Sequence, residues 1–165
     1  MSKTKKNLEA AFAGESQANR RYLAFAKKAD EEGHTQVAKL FRAVAEAETI
    51  HAHSHLDVLE GVGSTADNLK EAISGENYEH VSMYPEFIET AKEEVAPKAL
   101  KSFRWAMAVE VIHEELYKSA LEDLAEGGEV YEYYICPRCG HTHARSAPDK
   151  CPICGTPGSE YFKVN

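Results

Sequence analysis

The sequence contains no apolar run approaching the roughly 18–20 residues that a membrane-spanning helix needs, so no membrane partner is expected. It also lacks an excess of positive charge: 19 Lys and Arg stand against 27 Asp and Glu, a net charge of −8, and the basic residues form no long block. Nucleic acid and anionic bilayers recruit clustered positive charge, so neither is expected as the main partner. Lys3, Lys5 and Lys6 are followed by Glu9 and Glu15, a poor start for a secretory signal, and a cytoplasmic protein is the expectation. A Gly-rich nucleotide fingerprint is missing too. Glycine is sparse before the Gly127-Gly128 pair, and cysteine is absent before Cys136.

What is present is 165 residues, 43% apolar and 28% charged, which suits one domain with a sizeable core plus a small appendage. Gly127-Gly128 divides the two, giving residues 1–128, rich in Ala, Glu, Lys and Leu, and residues 129–165, rich in Tyr, Pro and Cys. All four cysteines fall in the second part, as Cys136-Pro-Arg-Cys139-Gly and Cys151-Pro-Ile-Cys154-Gly. Each C-x-x-C forms a knuckle presenting two thiolates, and two knuckles a short loop apart can wrap one tetrahedral metal ion. Gly140 and Gly155 supply the tight turn after each second cysteine. Two disulfides or reduced core thiols are the alternatives, and a cytoplasmic setting disfavours the first.

Four helices are predicted before the glycine pair. The first runs from an N-cap at Thr4 to Glu32 and stops at Gly33; the second runs from Thr35 to Glu60 and stops at Gly61. The third starts near Ser64–Thr65 and passes Met83, with Pro85 bending or breaking it. The fourth opens on Pro97, favoured in a first turn, and ends at Gly127. Four long helices with short connections predict a mainly α protein, an antiparallel four-helix bundle followed by a small β-ribbon.

Winding each helix at 100° per residue puts carboxylates on the apolar faces. Glu15 lies among Leu8, Phe12, Ala18 and Tyr22. Glu48 and His51 lie among Phe41, Val44, Ala45 and Ala52, and Glu76 and Glu79 share a face with Leu69, Ile73 and Met83. Glu110 and His113 lie among Phe103, Ala106, Met107 and Tyr117. Burying one unpaired carboxylate costs several kcal/mol, so five inward glutamates demand compensation, and no Lys or Arg is central to these stripes. Metal ions supply it. Glu-x-x-His on two helices with glutamates from the other two is the di-iron or di-manganese carboxylate arrangement, because positions i and i+3 are neighbours on one helical face. The spacing also suggests an internal duplication: Glu15 and Glu76 are 61 residues apart, Glu48 and Glu110 are 62. Glu79 has no counterpart in the first half, which makes the two metal positions inequivalent.

The segments Ala13-Gly14-Glu15-Ser16-Gln17-Ala18, Glu48-Thr49-Ile50-His51, Gly75-Glu76-Asn77-Tyr78-Glu79, Met83-Tyr84-Pro85 and Glu110-Val111-Ile112-His113 resemble rubrerythrin, and the C-terminal knuckles resemble its rubredoxin-like domain. The resemblance implies a ferritin-like di-iron bundle over 1–128 and a rubredoxin-like iron domain over 129–165. It implies a peroxidase that reduces hydrogen peroxide to water, in defence against oxidative stress. Two iron ions would be held by Glu15, Glu48, His51, Glu76, Glu79, Glu110 and His113, with Glu48 and Glu110 bridging and one iron shifting between His51 and Glu79. Tyr22 and Tyr84 match tyrosines that hydrogen-bond the ligand carboxylates. Cys136, Cys139, Cys151 and Cys154 would hold one iron, or zinc by substitution, that passes electrons singly. The electron donor would be external, such as a rubredoxin or an NAD(P)H reductase system.

His113 and Gly127 are 14 residues apart, about 21 Å along a helix. That places the cysteine site far from the bundle ligands of its own chain and predicts a head-to-tail homodimer. Trp105 faces away from the stripe and is a candidate contact residue or a cover for the ribbon. His55, one turn after His51, offers a rival Glu48/His51/His55 zinc site that leaves the other glutamates unexplained. Glu114 is partly inward, either supporting a ligand or sitting on a solvated rim. His141 and His143 read as loop residues because four cysteines already complete a tetrahedral set. His34, His53 and His80 are given no function. A ferroxidase or iron-handling protein on the same bundle, and a bundle with a structural zinc ribbon, are the competing functions.

Overall fold

The computed structural model describes residues 2–164. Helix α1 spans Lys3–Glu31 and α2 spans Thr35–Val58. The cap of α1 is Ser2, whose hydroxyl accepts from Lys5 N at 3.1 Å, two residues before the expected Thr4; the three lysines thus lie inside the first turns. Gly33, at φ +80°, makes the turn into α2, and Glu60, at φ +54°, ends α2 ahead of Gly61.

The third helix is α3 (Thr65–Tyr78), a π-helical turn (Glu79–Met83) and α4 (Tyr84–Glu93) in unbroken succession. Pro85 therefore lies in the first turn of α4, directly after the π turn, and does not interrupt the helical run. A proline lacks the N–H of the helical ladder and crowds the carbonyl four residues back, here Val81, and the wider π turn opens the ladder at that point. Helix α5 covers Pro97–Glu126 and ends at Gly127 in the left-handed conformation, φ +78°. Strands β1 (Tyr133–Ile135), β2 (Thr142–Ala144) and β3 (Phe162–Val164) form an antiparallel sheet in the order β2-β1-β3, with Ile135 opposite Thr142 and Phe162. The mainly α class with a small β-ribbon is what the sequence predicts.

The chain divides into two compact units between Gly63 and Ser64. The first is the α1–α2 hairpin. Among the described residues its buried ones are alanines, Ala26, Ala29, Ala38, Ala45 and Ala52, which lets the two backbones approach closely along the seam. Asn19 fastens it, donating to Ala45 O at 2.7 Å and to Thr49 Oγ1 at 2.9 Å. The second unit packs α3, the π turn and α4 along α5 and continues into the ribbon. Its buried residues include Ile88, Ala91, Val109, Cys136 and Cys151.

The two units repeat an aromatic trio that the sequence reading overlooked. Tyr22, Phe25 and Phe41 pack ring to ring in the first, at 5.5–6.3 Å between centroids. Tyr84, Phe87 and Phe103 do the same in the second, at 5.6–6.2 Å. Each member of the second trio lies 62 residues after its counterpart, whereas Glu76 lies 61 after Glu15. One extra residue has thus entered between Glu76 and Tyr84, and the π turn, which spaces its hydrogen bonds one residue wider than an α-helix, sits there. No described helix is long and apolar enough to cross a membrane.

Candidate metal centres

Each unit gathers one glutamate and one Glu-x-x-His pair. In the first, ligand atoms of Glu15 on α1 and of Glu48 and His51 on α2 lie within 4.8 Å of one another. In the second, Glu76 on α3 and Glu110 and His113 on α5 do the same. The i, i+3 step sets the local geometry in both: Nδ1 of His51 is 2.8 Å from Glu48 Oε2, and Nδ1 of His113 is 2.8 Å from Glu110 Oε2. Glu76 Oε2 approaches the same His113 nitrogen at 3.7 Å. The Glu48 side chain is largely covered, while His51 is 57% exposed.

Glu79 heads the π turn and is not among the atoms gathered within 4.8 Å. It is nonetheless in the field of that cluster. Burial, and then the charge of Glu110, push its carboxyl above the ordinary range. Glu76 is raised by burial and by Glu110 and Glu79, against the pull of His113. His113 is itself raised, chiefly by its hydrogen bond with Glu110. Tyr84 is held protonated by burial and by the three carboxylates Glu110, Glu79 and Glu76. Crowded carboxylates with a histidine and no lysine or arginine at the centre form a hard, anionic donor set that fits a divalent or trivalent cation. Tyr22 packs against Phe25 and Phe41 at the equivalent place in the hairpin.

Two residues outside the expected ligand set complete this region. Glu114 is buried, and its carboxylate accepts from Asn77 Nδ2 at 3.2 Å and Lys118 Nζ at 2.9 Å, with His80 Nε2 at 2.5 Å. These bonds, His80 first, hold its carboxyl down to about 2. Glu114 is therefore no solvated rim residue, and His80 has a definite role in packing. The signal was available: His80 is four residues from Glu76 and shares its helical face.

In the ribbon, Cys136 and Cys154 place Sγ atoms 3.6 Å apart, and Cys139 and Cys151 place theirs 3.5 Å apart. A disulfide would need about 2.05 Å, so the thiols are free. A metal–sulfur bond of about 2.3 Å implies tetrahedral edges of about 3.8 Å, and the four thiols match that size. Gly140 N and Gly155 N close the knuckles onto Cys136 O and Cys151 O, both at 3.0 Å, with positive φ at each glycine. Burial pushes the Cys151 thiol up, but hydrogen bonds from Tyr161 and from the backbone of Cys154 and Ile153 prevail and bring it to about 6. His141 is buried, with Nδ1 at 2.8 Å from the Tyr161 hydroxyl, so it supports the knuckle from behind. Trp105 meets the ribbon, with the Arg138 guanidinium 5.2 Å and Lys101 Nζ 4.4 Å from its ring.

The ribbon also doubles back onto α5. Thr142 Oγ1 lies 3.0 Å from His113 Nε2 and donates to Gly140 O at 3.2 Å. The separation of about 21 Å along α5 is therefore not the distance between the cysteine module and His113. The chain reverses after Gly127, which a projection along one helix axis does not anticipate.

A helical carboxylate–histidine module followed by a four-thiolate ribbon defines a non-haem metalloprotein with two kinds of metal centre. Residues 6–121 match the Rubrerythrin family model, and residues 134–163 match the model described as "Rubrerythrin, rubredoxin-like domain". The chain belongs to the rubrerythrin family. It is 40% identical to the rubrerythrin of Porphyromonas gingivalis, over 98% of this chain and 90% of that one. It is 38% identical to the nigerythrin of Nitratidesulfovibrio vulgaris, over 93% and 83%. A solved structure of nigerythrin in a partially reduced state superposes with a TM-score of 0.61 at 36% identity, covering 99% of this chain and 88% of that one. The family implies a di-iron site and a rubredoxin-like iron site.

Proposed function

We propose that this protein is a peroxidase that reduces hydrogen peroxide to water at a di-iron site and is re-reduced through the four-cysteine centre. The observation that carries the reading is the contact between the two donor sets in one chain: His113 of a carboxylate cluster bonds to the strand that follows the first cysteine knuckle. Family membership supports it, as does a nigerythrin structure described as fully reduced and all ferrous. The ligands would be Glu15, Glu48, His51, Glu76, Glu79, Glu110 and His113 for the iron pair, and Cys136, Cys139, Cys151 and Cys154 for the single iron. Bound there, iron supplies the two electrons that hydrogen peroxide takes up, with two protons, to give two waters.

The protein's own groups do the rest. The carboxylates hold charge at short range, and the Tyr84 hydroxyl keeps its proton in their field. Cys136 and Cys151 are buried, which would limit the access of water to an iron held by the knuckles. Electrons come from an external donor, such as a rubredoxin or an NAD(P)H reductase system. We further propose a homodimer, because among the described residues the α1–α2 hairpin buries only alanines and leaves Phe25, Val37, Leu40 and Ile50 exposed.

The test is anaerobic stopped-flow absorbance on iron-reconstituted, fully reduced protein mixed with peroxide and, separately, with oxygen. Rapid oxidation of both centres by peroxide, with oxygen much slower, is the expected result. Faster reaction with oxygen favours an iron-oxidising protein, and a cysteine site that never changes colour favours a structural zinc ribbon. Sedimentation across a dilution series tests the dimer.

A further inference from the structure

The second unit contains a side-chain bridge between its two donor sets. Thr142 opens the edge strand β2, opposite Ile135, and its hydroxyl reaches His113 Nε2 at 3.0 Å. A threonine hydroxyl has one proton to give. That proton goes to the carbonyl of Gly140 at 3.2 Å, so toward His113 the oxygen presents a lone pair. His113 Nε2 must then be the donor. With Nε2 committed to Thr142, Nδ1 is the ring atom turned to the carboxylates, donating to Glu110 at 2.8 Å and lying 3.7 Å from Glu76; a metal ion held by the cluster would displace that proton and take the Nδ1 lone pair.

The acceptor pair is held rigidly. Gly140 N bonds Cys136 O at 3.0 Å and Cys136 N bonds His141 O at 2.9 Å, so the knuckle that carries Cys139 also fixes the Gly140 carbonyl. A chain of covalent and hydrogen bonds thus runs from Cys139 through Gly140 and the Thr142 hydroxyl to the ring of His113.

We propose that Thr142 is a positioning residue that fixes His113 with Nε2 protonated and Nδ1 directed to the carboxylate cluster, and that it bonds the four-cysteine module to that cluster within one chain. This rests on the reading of His113 as a metal ligand. Outer partners of a metal-bound histidine set its tautomer and ring orientation, and their loss typically weakens metal binding by about 10–100-fold. Valine is nearly isosteric with threonine and suits a strand, so Thr142→Val removes the hydroxyl with little change of shape. A cavity of about 410 Å³, walled in part by Leu69 and Leu116, lies beside the pair.

The experiment uses the full chain loaded with zinc, which is diamagnetic, and follows the ¹⁵N-labelled His113 ring by NMR. Neither iron nor peroxide is present, so the outcome is independent of whether the protein is a peroxidase. The expected result is a protected Nε2–H in the native protein, exchange at least about tenfold faster in Thr142→Val, and restored protection in Thr142→Ser, with zinc affinity following the same order. Thr142→Ser keeps the hydroxyl and loses only the methyl, so it separates bonding from packing. Unchanged exchange in Thr142→Val overturns the proposal, as does a Thr142→Ser protein that behaves like Thr142→Val.

Discussion

His80 Nε2 lies 2.5 Å from Glu114 Oε2, which joins the residue after Glu79 to the residue after His113. Asn77 donates to the same carboxylate, so Glu114 grips the third helix on both sides of the head of the π turn. The segment that carries Glu79 is thereby tied to α5 although its ladder is widened. Glu114→Ala leaves His80 and Asn77 without this acceptor. It is expected to lower the melting temperature and speed amide exchange across Glu79–Met83, with Glu114→Gln intermediate because it can still accept. Hydrogen exchange read by mass spectrometry decides; equal exchange in Glu114→Ala and the native protein refutes the clamp.

Val95 sits at φ +54° in the turn between α4 and α5, and the residue is 82% exposed. A β-branched residue is strained there, and exposure means that packing gives little in return. Val95→Gly is expected to stabilise the protein by about 1 kcal/mol, offset in part by the freer unfolded chain. Urea denaturation of the two proteins measures it, and a destabilised variant contradicts the strain argument.

Tyr133 donates to Tyr131 at 3.3 Å, and this bond, with burial, pushes its phenol up to about 12. The folded protein keeps this proton when the unfolded chain would lose it, so the contribution is full below about pH 10 and is lost as pH rises toward 12. Tyr133→Phe is expected to flatten the fall in stability over that window. Tyrosinate absorbance alongside circular dichroism checks it, and an unchanged alkaline profile counts against the assignment.

Gly158 is packed so tightly that a Cβ would lie 1.8 Å from the carbonyl oxygen of Pro148. Gly158→Ala must displace the backbone that leads into the second knuckle. The four-cysteine site is expected to lose its metal to a chelator much faster in that variant, while helix content is kept. A chromogenic chelator assay reads the rate; equal rates in variant and native protein refute the constraint. Complete metal removal from the native protein is expected to unfold the ribbon, since its small core cannot stand without the ion.

The sequence determined the donors, because ligand chemistry is a matter of residue type and period. Glu-x-x-His on an apolar stripe and two C-x-x-C-G knuckles carry their meaning in spacings of three residues, which the helix and the knuckle convert directly into proximity. The duplication was legible for the same reason, and the single offset between Glu76 and Tyr84 locates the π turn. Tertiary structure alone decided which second groups meet those donors. Glu114 is at the edge of its stripe by helical phase, and only the packing of α3 on α5 buries it beneath His80. Thr142 is one polar residue in a short strand, and only the reversal of the chain after Gly127 brings its hydroxyl to His113. Both contacts join residues about thirty apart in sequence through a packing direction that no local period encodes.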